Sequence, residues 1–203
     1  MAYIGSKPAN KPVVASDLDP TVITGQTALA TSPASTDEFL ISDAGVLKRL
    51  DASLIGGTNT PYFMVKKDSD QSISNSTTTK VTFESTVVES SSNVFDLSNN
   101  KFTVATAGKY MITPQATFYD SSSSLQRSDM YIYKNNSKIM KFTHNDTQNE
   151  DRDIQVGSSF LINLSANDYI EMYVFAQFHS GSSSLVLESD DIQTYLSAMK
   201  IIE

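Results

Sequence analysis

The chain of 203 residues carries a formal net charge of −8, contains 39% apolar and 19% charged residues, and has no cysteine. Its negative charge, with no basic run longer than two residues, excludes a surface that attracts phosphate backbones, so we predict no nucleic-acid partner. Without cysteine there are no disulfides, zinc–thiolate sites or thiol nucleophiles. No apolar stretch reaches the length of a membrane span, so we predict no membrane insertion, and the N-terminus lacks the apolar core of a secretory signal.

Residues 1–57 differ in composition from the rest of the chain. The first part, 1–34, is rich in Pro, Thr, Ala and Ser and has only weak hydrophobic periodicity, which predicts extended, irregular backbone. In EFLISDAGVLKRLD, two apolar runs flank a three-residue loop that ends in glycine, so we predict a small β-hairpin over about residues 38–51. A lone two-stranded hairpin is only marginally stable in water, so it needs another copy of itself or another protein as a partner.

From residue 61 onward the sequence predicts an all-β domain. Short runs of apolar and polar residues are separated by Ser, Asn, Asp and Gly, and no helical period of adequate length appears. The pairs Asn99-Asn100 and Asn135-Asn136 are predicted turns because asparagine tolerates positive φ. About ten such strands with frequent turns indicate a sandwich or a barrel.

Alternation assigns the two faces of two predicted strands. Alternate residues of 169–178 form one apolar core row, and Met130 and Ile132 do the same in 129–133. The opposite rows should be exposed, yet they are rich in aromatic rings, which bury large area at a low cost in side-chain entropy. We therefore predict an interface there, although scattered surface aromatics are also normal. The candidate interface residues are Tyr131, Tyr133, Tyr173 and Phe175.

The stretch FDLSNNKFTVATAGKYMI resembles the signature of the complement globular-head family, which belongs to the tumour-necrosis-factor-like jelly rolls. The signature residues fall on Phe102, Gly108, Tyr110 and Ile112. We interpret Phe102 as the end of one core row, Gly108 as the residue that permits a sharp reversal, and Tyr110 with Ile112 as the start of the next row. Downstream, MYIYKNNSKI, FLINLSANDYIEMYV and YLSAMKII are similar to later strands of that family.

This resemblance covers 61–203 and implies a ten-stranded jelly-roll β-sandwich that assembles as a compact homotrimer, with the aromatic rows along the three-fold axis. It implies no particular function, because the fold serves recognition proteins, cytokines and viral fibre tips alike. Near the N-terminus, MAYIGSKPA, ITGQTAL and DEFLISDAGVLKRLDASLI resemble segments at the start of tail fibres and similar appendages of marine tailed bacteriophages. The second resemblance implies that 1–57 is an extended virion-attachment region and that 61–203 is a head domain.

The sequence nominates no catalytic site. Its histidines, His144 and His179, lie at predicted strand ends, and it has no nucleophile elbow, zinc-protease motif or phosphate loop, so we predict no enzyme and no cofactor. The acidic stretch THNDTQNEDRD suits a calcium loop or a carboxylate pair in spacing, but it lacks the mid-loop glycine of the helical calcium hand. We therefore expect solvated loops and no metal. The acidic residues of this stretch are Asp146, Glu150, Asp151 and Asp153, and we interpret the separate pair Asp190 and Asp191 in the same way.

These features predict a trimeric fibre on the exterior of a tailed-phage virion. Residues 1–57 would dock to other phage structural proteins, and the head would project to bind a host-surface glycan or lipopolysaccharide through polar loops at 120–127, 144–153 and 179–184. The alternative is a capsid decoration, cement or head-fibre protein with a mechanical role. A free extracellular recognition module is a third hypothesis, and the missing export signal disfavours it.

Overall fold

The computed structural model describes residues 25, 27, 33–34, 36–55, 59–120, 125–145, 153–178, 185–189 and 193–201. The chain divides into two units, Met1–Gly56 and Gly57–Glu203. In the described ranges the structure is all β, apart from one turn of 3₁₀ helix at Ala52–Leu54. None of the described residues forms a helix long and apolar enough to cross a membrane.

Sixteen strands lie within these described ranges. They are β1 (Glu38–Asp43), β2 (Val46–Asp51), β3 (Tyr62–Lys66), β4 (Gln71–Ile73), β5 (Thr77–Lys80), β6 (Ser85–Glu89), β7 (Phe95–Asp96), β8 (Lys101–Thr103), β9 (Gly108–Asp120), β10 (Leu125–Lys134), β11 (Ser137–Asn145), β12 (Asp153–Gly157), β13 (Phe160–Leu164), β14 (Tyr169–Phe178), β15 (Leu185–Leu187) and β16 (Tyr195–Lys200).

The first unit contains a two-stranded antiparallel hairpin of β1 and β2, which spans residues 38–51. Its turn has two residues, not the three that the sequence predicts, because Asp43 still pairs with Val46. Ala44 and Gly45 have φ values of 51° and 84°, which is the left-handed geometry of a tight hairpin turn.

The second unit is a sandwich of two antiparallel sheets, as the sequence predicts. Sheet one has the order β4-β15-β9-β16-β3-β6. In it, β15 and β16 pair with successive parts of one edge of the long strand β9, and β12 and β13 pair with its opposite edge. Sheet two has the order β11-β10-β14-β8-β7, and β5 also pairs with β14. One continuous cluster of buried apolar side chains fills the space between them, including Phe63 and Ile112 from sheet one and Ile132 and Val174 from sheet two.

The predicted count of about ten strands is not confirmed, since the described part of this unit contains fourteen. One reason is that the segment 153–164 is divided into two strands, β12 and β13. Both β12 and β13 pair with β9 in the same register, and the gap between them lies opposite Pro114, which has no N–H to donate. A Cβ on Gly157 would lie 2.3 Å from the carbonyl oxygen of Pro114, so only glycine fits beside it.

Asparagine supplies several of the turns. Asn135 and Asn136 join β10 to β11 with φ values of 50° and 64°, as the sequence predicts. Asn100 and Asn167 also have positive φ. Asparagine adopts this region at a lower cost than most residues because its short polar side chain bonds locally.

Candidate oligomer interface

Three of the four signature residues pack into the core of the sandwich. Phe102, Tyr110 and Ile112 are buried, and the rings of Phe102 and Tyr110 are 5.7 Å apart. The Tyr110 hydroxyl donates a hydrogen bond to the Thr106 carbonyl oxygen at 2.6 Å, which ties the start of β9 to the preceding turn. These residues therefore pack the core and offer no accessible site.

Gly108 has a different role from the predicted one. It is the first residue of β9, with a φ of 154°, and not a member of the turn before the strand. A Cβ at this position would lie 2.5 Å from Cε of Lys200, so the bare glycine leaves room for the lysine stem across the neighbouring strand.

The outward side of sheet two carries the aromatic residues that the sequence selects. Cross-strand pairing places Tyr131 opposite Tyr173 and Asp129 opposite Phe175. The rings of Tyr133 and Tyr173 are 4.5 Å apart, and those of Tyr131 and Tyr133 are 6.5 Å apart. We call this side the aromatic face. Its members are Asp129, Tyr131, Tyr133, Glu171, Tyr173 and Phe175.

Cations from the same sheet lie against two of the four rings of the aromatic face. Lys138 Nζ lies 3.6 Å from the centre of the Tyr131 ring, and the Arg127 guanidinium lies 5.3 Å from that of Phe175. As a result, Tyr131 is only 4% exposed in the single chain, and Tyr133, Tyr173 and Phe175 are half-buried. The aromatic face is therefore largely closed by its own chain.

Asp129 is the carboxylate that pairs with Arg127 and Lys141 on this face, and it is fully buried. It accepts hydrogen bonds from Arg127 at 2.5 Å and from the Tyr131 hydroxyl at 2.6 Å, and Lys141 Nζ lies 3.4 Å away. Burial raises the pKa of Asp129, but the hydrogen bonds from Arg127 and Tyr131 outweigh it and hold the pKa below its usual range. Burial and the Asp129 carboxylate strongly raise the pKa of Tyr131. The carboxylate thus stays charged and paired.

A second ion pair lies on the same face. Lys80 Nζ contacts Glu171 Oε1 at 2.5 Å, and Glu171 is buried. Within the described residues, Glu171 Oε2 and Asp129 Oδ1 are buried and have no hydrogen-bond partner. Covering this face further with protein would remove water from the partly exposed cations Lys80, Arg127 and Lys141, which is costly.

The outward side of sheet one has the opposite character. Pairing aligns Tyr62 with Met199, Met199 with Met111, and Met111 with Leu161, so one apolar row crosses four strands. Leu161 is 66% exposed, and Tyr62 is 38% exposed. We call this side the apolar face. Its members are Tyr62, Met64, Val88, Met111, Leu161 and Met199.

A groove of about 490 Å³ runs along part of the apolar face. Met64, Met111 and Met199 line it together with Tyr62 and Val88, and no charged side chain contributes to the lining. Methionine is flexible and polarizable, so such a groove adapts to an apolar side chain that enters it. Leu161, on β13, pairs with Met111 on the same face, but it is exposed and does not line the groove.

Sequence reasoning missed the apolar face. Met111, Leu161 and Met199 each alternate with core residues, so their outward direction is readable from the sequence. What brings them together is the pairing of β3, β16, β9 and β13, which lie far apart in the chain.

Several predicted site residues lie outside the described residues. The candidate host-contact loops fall mainly on 121–124, 146–152 and 179–184, none of which is described, and His179 belongs to the last of them. Among the acidic residues considered for calcium, only Asp153 is described, at the start of β12. In the described part of the chain, no three His, Asp or Glu side chains cluster as a metal site would require.

Comparison with solved structures identifies the fold. Murine APRIL at pH 5.0 matches with a TM-score of 0.53 and 14% identity, over 70% of this chain and 98% of that one. The globular domain of zebrafish complement 1qA matches with a TM-score of 0.51 and 14% identity, over the same shares. The fold is a tumour-necrosis-factor and complement-type jelly roll. This outcome confirms the fold that the signature stretch implies, while identity this low shows the fold alone.

Sequence comparison gives one further likeness. No protein-family model matches the chain. Over 122 residues the chain is 23% identical to the phage-like element PBSX protein XkdV of Bacillus subtilis strain 168. The match covers 57% of this chain and 18% of that protein, so the chain spans under a fifth of its relative's length.

Proposed function

We propose that this chain is a structural protein of a tailed-phage virion and that it assembles as a homotrimeric fibre. Residues 1–57 attach it to other phage structural proteins, and the head, 61–203, projects on the exterior of the particle toward a host-surface glycan or lipopolysaccharide. The likeness to a phage-like element protein carries the virion assignment. The jelly-roll head with an uncovered apolar face supports the assembly.

The apolar face is the better trimer interface of the two sheet faces. Monomers rarely expose a contiguous apolar patch, and such a patch usually marks a binding surface. A three-fold ring needs two different patches that meet head to tail, because only a two-fold axis pairs a patch with itself. Leu161 of one copy and the methionine groove of the next supply such a pair.

The aromatic face remains the competing hypothesis for the trimer axis. Assembly there would bury Tyr131, Tyr133, Tyr173 and Phe175 between copies, as the sequence predicts. It would also enclose Lys80, Arg127 and Lys141, which are partly exposed and already pair with Glu171 or Asp129 within one chain. Since a buried ion pair contributes little net stability, we favour the apolar face.

Antibody labelling of intact particles tests the virion assignment. An antibody against residues 61–203 should decorate the ends of tail appendages, and the purified full chain should compete with infection of host cells. Label over the shell would select the capsid decoration or head-fibre role that the sequence leaves open. Particles that carry no label, while the denatured particle also lacks the chain by mass spectrometry, would contradict the virion assignment.

A further inference from the structure

The hairpin of β1 and β2 has no core of its own. No side chain described in 36–46 or 48–55 is buried. Phe39 is 40% exposed and Val46 is 58% exposed, and Leu54 and Ile55 after the hairpin are also exposed. A two-stranded hairpin in this state is marginal in water, so something must cover it.

Register divides the hairpin into two unlike sides. Residues that pair across the strands point the same way, so Phe39, Ile41, Val46 and Leu50 share one side, on which the ion pair of Asp43 and Lys48 also lies. We call this the hairpin apolar side. The opposite side carries mainly polar and charged residues, which are Glu38, Ser42, Arg49 and Asp51, together with Leu40.

Two of the three carboxylates of the hairpin pair with its two cations, and the third, Asp51, lies opposite the hairpin apolar side. Arg49 Nε lies 2.8 Å from Glu38 Oε1, and Lys48 forms an ion pair with Asp43. Each cation therefore has a carboxylate partner in its own chain, and like copies can approach without leaving a cation unpaired. The uncovered side chains of this side are mainly apolar, so burying them against neighbouring copies is favourable.

We propose that three copies of this hairpin pack their apolar sides around a common axis and form a three-sided β-prism. The inference rests on the proposed trimer. Only residues 52–61 separate β2 from β3, and an extended chain spans at most about 3.3–3.6 Å per residue, so each hairpin stays within roughly 35 Å of the start of its own head. In a trimer this tether raises the local concentration of hairpins to about the millimolar range. The segment before the hairpin is then left for attachment to the particle.

Single cysteines in the full chain test this packing, because the natural chain contains none. Val46→Cys places a thiol on the hairpin apolar side, and Ser42→Cys is a matched control at an exposed position on the opposite side. Under mild oxidation, Val46→Cys should give disulfide-linked dimers in up to two of every three chains, since only two of three thiols can pair. The yield should not change on dilution, and Ser42→Cys should remain monomeric on a denaturing gel.

Hydrogen exchange gives a second readout that does not depend on cross-linking. In the wild-type trimer, the amides of 38–51 should be protected, and Phe39→Ser should reduce that protection at least tenfold while the amides of β9 stay unchanged.

The outcomes separate this proposal from the proposed trimer. If light scattering shows a trimer but the two cysteine variants cross-link equally, the β-prism is wrong and another protein covers the hairpin. Preferential cross-linking of Ser42→Cys also overturns it. A monomer by light scattering removes the proposed trimer and the β-prism together.

Discussion

The two sheets of the head turn very different surfaces outward. The aromatic face is rich in rings, yet a lysine and an arginine of the same sheet lie over two of them, and cations of that sheet pair with its buried carboxylates. The apolar face has fewer rings, but Leu161 and Tyr62 project from it and nothing in the described residues covers them. Ring content alone therefore does not tell which of the two faces exposes more apolar surface. The exposure of an aromatic surface also depends on whether neighbouring cations lie over its rings.

The largest effect should come from a charge on the apolar face. Leu161→Asp should dissociate the trimer, because an unpaired carboxylate at the contact costs on the order of several kcal/mol, whereas the exposed side chain adds little to the fold of one copy. The molecular mass measured by light scattering should fall from three times the chain mass of 22.2 kDa to the mass of one chain.

Ile139→Asp is the matched control for this substitution, since Ile139 is an exposed aliphatic residue on β11 of sheet two. It should leave the trimer intact. The reverse pattern, with a trimeric Leu161→Asp and a monomeric Ile139→Asp, would move the interface to sheet two.

The aromatic face should matter for the stability of each copy more than for assembly. Asp129→Asn keeps the shape of the side chain but leaves Arg127 and Lys141 without their anion, so the free energy of unfolding should fall by about 1–3 kcal/mol. Urea denaturation measures this loss, and light scattering should still show a trimer. Loss of the trimer at unchanged stability would contradict our ranking of the two faces.

Oxidation of methionine should report which face is covered. Met111 and Met199 should react with peroxide several-fold more slowly in the wild-type trimer than in Leu161→Asp, because the neighbouring copy shields their sulfur atoms. Mass spectrometry of peptides gives the rates. Met130, which is buried between the sheets, is the internal control and should react slowly in both proteins. Equal rates at Met111 in both would argue that the apolar face is open to solvent.

The smallest expected effect is on the pH dependence of stability, and it comes from Asp168 in the turn before β14. The hydrogen bond from Lys134, with others from the Ser165 N–H and Asn135, lowers the pKa of Asp168 from 3.8 to about 2. A depressed pKa stabilises the fold above the unfolded pKa, and this contribution is lost as pH falls from about 4 toward 2. Asp168→Asn should therefore flatten that part of the stability profile in chemical denaturation. Lys134→Met should flatten it partly, and identical slopes in all three proteins would contradict the assignment.

Local sequence determined much of the fold of this protein. Alternation in 169–178 predicted that Met172 and Val174 face the core, and both are buried. Asn135-Asn136 predicted a turn, and both residues have positive φ there. These features are readable because side-chain direction in a strand has a period of two and because few residues tolerate the left-handed region.

Only the tertiary structure decided which outward surface is open. Tyr131 is closed because Lys138, from the next strand, lies over its ring. Leu161 joins Met111, Met199 and Tyr62 in one row only because β13, β9, β16 and β3 pair in that order. Alternation shows that a residue points away from the core, but not which neighbours share its surface, since those neighbours come from strands distant in the chain. The exposed apolar face is thus a property of sheet order and register, which no single strand encodes.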